Sequence, residues 1–89
     1  MNVTIVKEDS FVMIDGEGMS FDFTLDDNIW AVQWRGTVGE VEYNDGSMNK
    51  LIDSFSPYQY LVDAYNIEKQ RLEDEAARLE AARSAKLKD

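Results

Sequence analysis

The sequence predicts an α+β domain: a small antiparallel β-meander of four to five strands, then one long C-terminal α-helix that projects beyond the head. Three observations carry this expectation. Short apolar runs separated by Gly- and Asp-rich turns fill residues 1–56. Ser56-Pro57-Tyr58-Gln59 then opens a stretch with no further Gly or Pro and little β-branching. About thirty helical residues at 1.5 Å each span roughly 45 Å, whereas a head of roughly fifty-six residues has a radius of gyration near 10 Å. Residues 1–56 are therefore expected to form the β head. Residues 57–89 form the helix, its first half packed on the sheet and its second half protruding.

In chain order, Val3, Thr4, Ile5 and Val6 alternate as a short strand ending at the polar turn Lys7-Glu8-Asp9-Ser10. Residues 11–15 (FVMID) are apolar on both faces, as in a central or covered strand. Asp15-Gly16-Glu17-Gly18 supplies a turn whose glycines tolerate positive φ. The next strand, residues 19–24, alternates most clearly: Met19, Phe21 and Phe23 in, Ser20, Asp22 and Thr24 out. Leu25-Asp26-Asp27-Asn28 breaks it with turn formers.

A hairpin over residues 29–43 is the centre of the head. Trp30, Val32 and Trp34 share strand parity and are expected on one face, answered by Val41 and Tyr43. Gln33 and Arg35 are expected to meet Glu40 and Glu42 on the other. The hairpin loop is placed at residues 35–39, and Asn44-Asp45-Gly46-Ser47 closes the unit. Residues 48–53 form a connector with room for one short extra strand.

The helix is expected to start with Ser56 as its cap, Pro57 at the first helical position and Gln59 completing a capping box. Phe55 and Tyr60 are placed to form a hydrophobic staple. Tyr58, Leu61, Val62 and Tyr65 make an apolar stripe fit to dock on the sheet. Beyond them Ala, Glu, Arg and Lys favour a helix running to about Lys86. The pairs Asp74–Arg78, Glu68–Arg71, Glu75–Arg78 and Glu80–Arg83 have supportive spacing, and Lys86 and Lys88 complement the helix dipole. Tyr65, Leu72 and Leu79 recur every seven residues with Val62 and Ala76 on the neighbouring track, interrupted by Lys69 and Arg83: a weak coiled-coil heptad. Two readings stay open, a solvated helix laced with ion pairs or a helix that pairs with itself or a partner through Leu72, Ala76 and Leu79.

Composition narrows the chemistry. Neither Cys nor His is present, which removes disulfides, thiolate metal sites and the commonest general base near neutral pH. The net charge of −9 is concentrated in residues 1–57, where eleven acids face three bases. An acidic head of this kind repels phosphate backbones, so no nucleic acid is expected as a partner. The opening MNVTIVKEDS lacks a basic stretch followed by an apolar run, and no apolar run approaches the roughly 20 residues a membrane span requires. A cytoplasmic location without a membrane partner is the expectation.

The acid-rich turns at residues 15–18, 26–28 and 44–46 lack the ligand order of a calcium loop, so turn chemistry accounts for them and no metal is expected. Glu40 and Glu42 share a strand face but imply no deep pocket, which disfavours a glycosidase pair. No phosphate loop, nucleophile elbow or zinc spacing occurs, and neither enzyme activity nor a cofactor is expected. The aromatic set Trp30, Trp34, Tyr43, Tyr58, Tyr60 and Tyr65 is mostly core material, with one or two tyrosines left to a protein-binding rim. Candidate protein-binding residues are accordingly Leu72, Ala76, Leu79, Tyr65 and Tyr60.

The run IWAVQWRGTVGEVEYNDG, followed by NKLIDSFSPYQYLVDAY and an alanine- and charge-rich helical tail, resembles a family of small bacteriophage and prophage proteins. The pattern falls on Ile29, Ala31, Val32, Gln33, Trp34, Gly39, Val41, Glu42, Tyr43, Tyr58, Gln59, Val62, Asp63 and Ala64, and covers roughly the central half of the chain. Residues 1–28 lie outside it. The resemblance implies a tail-fibre assembly protein, tail assembly chaperone or minor tail component. Such a protein acts in the host cytoplasm during assembly or stays in the virion tail. It implies a tail or tail-fibre subunit as partner, with homo-oligomerisation through the helix as a further option, and no catalytic residues. From a different class, an acidic host-directed inhibitor of the DNA-mimic type would occupy a basic host-protein surface.

Overall fold

The computed structural model describes the backbone of residues 1–87 and the side-chain surroundings of residues 1–83. Six strands, β1 (Asn2–Val6), β2 (Phe11–Ile14), β3 (Glu17–Ser20), β4 (Ile29–Arg35), β5 (Gly39–Tyr43) and β6 (Lys50–Ile52), form one sheet. The sheet is antiparallel with order β3-β2-β1-β4-β5-β6. A 3₁₀ turn over Ser56–Tyr58 leads into α1 (Gln59–Leu87). The sheet thus consists of two three-stranded meanders joined side by side through β1 and β4. Its six strands exceed the four to five expected because the connector holds β6.

Each hairpin follows from local chemistry. Asp15 and Gly16 sit at φ 48° and 89°, both central positions of a two-residue turn that Asp-Gly suits. The turn is tied to β1, since the Asn2 N–H donates to Asp15 Oδ1 at 2.8 Å and the Asp15 N–H to the Asn2 carbonyl at 2.9 Å. Between β4 and β5, Gly39 lies opposite Trp34, and a Cβ there would stand 2.8 Å from the indole ring. Glycine leaves room for that ring and for the Gln33 carbonyl oxygen, with which a Cβ would collide.

One face of the sheet is the core face. Val3, Ile5, Val12, Val32, Trp34 and Val41 share it by register and are all buried. Phe55, Leu61, Val62 and Tyr65 belong to the same cluster, with Phe21, Phe23 and Leu25 packed against it. The expected stripe on the first helical turns is therefore the docked face. Burial of each such side chain contributes about 1.5–3 kcal/mol. Trp34 packs on Phe55 with ring centroids 5.4 Å apart.

Two expectations about the strands are corrected. Trp30 does not share the core face with Val32 and Trp34; it is 51% exposed. Ile29 pairs with Tyr43 and Ala31 with Glu42, so two steps on β4 oppose one on β5. This β-bulge reverses the parity of the strand, placing Ile29 in the core and turning Trp30 out. The third strand ends at Ser20, not Thr24. Residues 21–25 keep their alternation without a strand partner, because this connection returns from the sheet edge and offers Phe21, Phe23 and Leu25 to the core.

The helix start also differs. Ser56 makes no capping bond to the first turn, and its own N–H donates to Ser54 Oγ at 3.3 Å. Phe55 stacks on Tyr58, at 6.2 Å between centroids, while Tyr60 stays half-exposed and donates its hydroxyl to the Thr24 carbonyl. Docking of Phe55 against Trp34 fixes the entry of the chain into the helix, so a tight 3₁₀ turn replaces the expected capping box.

The opposite sheet face is open. The Thr4 hydroxyl donates to Gln33 Oε1 at 3.0 Å, and Gln33 lies opposite Glu40. Glu42 faces Ala31, and Arg35 makes no ion pair among the described residues, so the expected charge pairing across this hairpin is absent.

The bulge separates the two tryptophans energetically. Trp34→Ala should cost about 3–5 kcal/mol by cavity formation. Trp30→Ala, on the exposed side, should stay within about 1 kcal/mol. Urea denaturation of the two variants checks this; equal losses would contradict the assignment of Trp30 to the surface.

Candidate functional site

The helix outruns its support. The molecule measures 63 × 25 × 18 Å, and α1 with 29 residues accounts for the long axis. The last anchoring contacts converge on Glu17, at the β2–β3 turn. The Tyr65 hydroxyl donates to the Glu17 carbonyl at 3.0 Å, and Lys69 Nζ meets Glu17 Oε2 at 2.8 Å. The carboxylate raises the Lys69 pKa above its ordinary value, chiefly by hydrogen bonding. From Gln70 to Arg83 every residue is exposed except Glu75, which is half-buried.

The candidate residues therefore separate into two groups. Tyr65 is only 4% exposed and its hydroxyl is engaged, so it belongs to the core and offers no surface to a partner. Tyr60 is half-exposed at the base of the helix, with its hydroxyl held by Thr24 and its pKa raised by burial. Leu72, Ala76 and Leu79 are exposed, the two leucines at 43% and 61%. At 3.6 residues per turn they continue the line of Leu61 and Tyr65. One apolar stripe thus runs along the helix, covered by the sheet at its base and bare from Gln70 to Arg83.

Ion pairs brace the point where the helix leaves the head. Arg71 reaches Glu68 at 2.6 Å and Glu75 at 3.1 Å. The guanidinium hydrogen bond holds the Glu68 carboxyl below the ordinary 4.5, and Glu68 in turn raises Arg71. Because the folded carboxyl is depressed, this support is complete above the ordinary value and fades as pH falls through the lowered one. Of the expected pairs, Glu68–Arg71 forms. Asp74–Arg78, Glu75–Arg78 and Glu80–Arg83 do not form among the described residues, and Glu75 pairs with Arg71 instead.

The acid-rich turns use their carboxylates locally. Asp26 accepts from the Asn28 N–H at 3.0 Å, and Asp45 from the Ser47 N–H at 2.9 Å. Ser47 also lowers the Asp45 pKa. Among the described residues no group of three or more acids is arranged to hold a metal ion. No described helix is long and apolar enough to cross a membrane. A groove beside β6 is lined by Val38, Leu51, Arg35, Glu40 and Asp53 and is open to solvent.

Bare leucines can be exchanged at little cost to stability. Leu72→Gln and Leu79→Gln should each change unfolding free energy by no more than about 0.5 kcal/mol. Leu61→Ala, on the docked part of the same stripe, should lose about 2–5 kcal/mol. Thermal melts of the three variants test the division. Comparison with known protein families, curated proteins and solved structures finds no match.

Proposed function

We propose that the chain is a non-catalytic protein-binding part, in which the sheet and the docked helical turns form a rigid base and the helix beyond Lys69 engages a partner. The observation that carries this reading is the exposure of Leu72, Ala76 and Leu79 in line with a stripe that the head itself buries. An exposed apolar stripe with polar surroundings is the usual form of a helix-docking surface. The sequence pattern of the hairpin and helix favours a phage tail or tail-fibre subunit as that partner, with the chain acting as an assembly factor or minor virion component.

Co-expression with tail and tail-fibre proteins, followed by co-purification, tests the reading. The full chain should retain a tail component. A chain ending at Lys69 should keep the near-ultraviolet circular dichroism of the folded head, since among the described residues every buried core residue lies before that point, but lose the partner. Retention of the partner by the shortened chain would overturn the role given to the helix. If that retention also weakened steeply with salt, it would transfer binding to the acidic head, as in a host-directed inhibitor.

A further inference from the structure

The bare stripe has acidic borders. At 100° per residue, Glu68 and Glu75 lie on one side of the line through Leu72, Ala76 and Leu79, and Glu73 and Glu80 on the other. Arg71 lies just outside Glu75 on the first side and bridges Glu68 and Glu75. Glu73 and Glu80 make no ion pair among the described residues. Between Lys69 and Arg83, the two bases that bound it on the same face, the seam therefore has Glu73, Glu75 and Glu80 beside it and no further basic residue on that face, with Glu68 at its base.

We infer that the seam is built for an amphipathic helix of a different protein, one whose apolar line is bordered by Lys or Arg, and not for a second copy of this chain. The inference rests on the binding role proposed for the helix and adds the chemistry of the occupant. Two copies meeting in parallel would set the border of one helix against the opposite border of the other. Meeting antiparallel, they would set like borders together. Both borders are acidic, so either arrangement places glutamate against glutamate beside the leucines, and like charges across a helix pair disfavour it. A basic-bordered helix meets the same leucines and gains the charge complementarity that a second copy lacks.

The test uses the full chain and two labelled helical peptides with identical leucine lines, one bordered by Lys and one by Glu. Fluorescence anisotropy should show the Lys-bordered peptide binding about ten-fold or more tighter at low ionic strength, the gap narrowing as salt is added. Glu73→Lys with Glu80→Lys should narrow or invert that preference. Leu72→Gln with Leu79→Gln should weaken the Lys-bordered peptide about ten-fold while leaving every carboxylate in place. Sedimentation should show a monomer at neutral pH. A dimer dissolved by the leucine double variant would overturn the inference. So would binding that ignores the leucines, which would mean capture by the acidic head. Equal binding of both peptides, lost in the leucine variant, would refute the charge of the partner and leave the binding role of the helix standing.

Discussion

A single sheet has two faces, and the first turns of α1 can cover only part of one. Packing of Leu61, Val62 and Tyr65 into the cluster of Val3, Ile5, Val12, Val32 and Val41 is the contact on which the rest depends. It orients the helix and closes the core. It also fixes the place where cover ends, at the Tyr65 and Lys69 contacts with Glu17. In a domain this small the buried surface barely offsets chain entropy, so the core face is used fully. The helical residues that follow find no apolar surface of their own chain to lie against.

The second sheet face is managed differently. It has no covering layer and relies on side chains that satisfy one another or remain wet. Thr4 with Gln33 closes a polar pair at the centre of the sheet. The Phe11 ring lies over Gly18 on β3, where any Cβ would collide with it. An aromatic ring over a glycine shields backbone that has no side chain to do so. The bulge at Trp30 belongs to the same economy, since β4 contributes Ile29, Val32 and Trp34 to the core face and leaves one indole outside.

Much of this was legible in the sequence, and the failures share a cause. Alternation reports which way side chains point, which is why Met19, Phe21 and Phe23 read as inward-facing and do pack against the core, whereas Leu25, read as part of the turn, joins them there. It does not report hydrogen-bond partners, so a connection crossing the core resembled a strand. Parity along β4 likewise holds only without an inserted residue. The bulge arises from pairing with β5, which single-strand spacing does not encode. At the helix start, Ser54 and Ser56 offer the same hydroxyl. The packing of Phe55 on Trp34, a contact between distant parts of the chain, decided between them. Leu72, Ala76 and Leu79 were legible as an exposed line once helix length exceeded head size. Tyr65 falls both in the stripe expected to dock and among the candidate binding residues, because the stripe is continuous and only the sheet's extent says where cover stops. The acidic borders follow from the helical spacing of Glu68, Glu73, Glu75 and Glu80, which alternation and heptad patterns of apolar residues do not register.

An uncovered helix of this length raises the question of why it stays helical. Isolated helices are marginal because the first turn costs several fixed dihedrals for one hydrogen bond, whereas each later residue adds a bond for its own ordering. Here the docked turns supply the nucleus through tertiary packing, and the exposed part needs only propagation. Residues rich in Ala, Glu and Arg supply that with little loss of side-chain freedom. Glu68, Arg71 and Glu75 tie together the turns on either side of the exit point, where a hinge would otherwise form most easily. The leucine line is therefore held at an angle set by the sheet. An incoming helix meets a preformed surface and does not have to order this chain in order to dock.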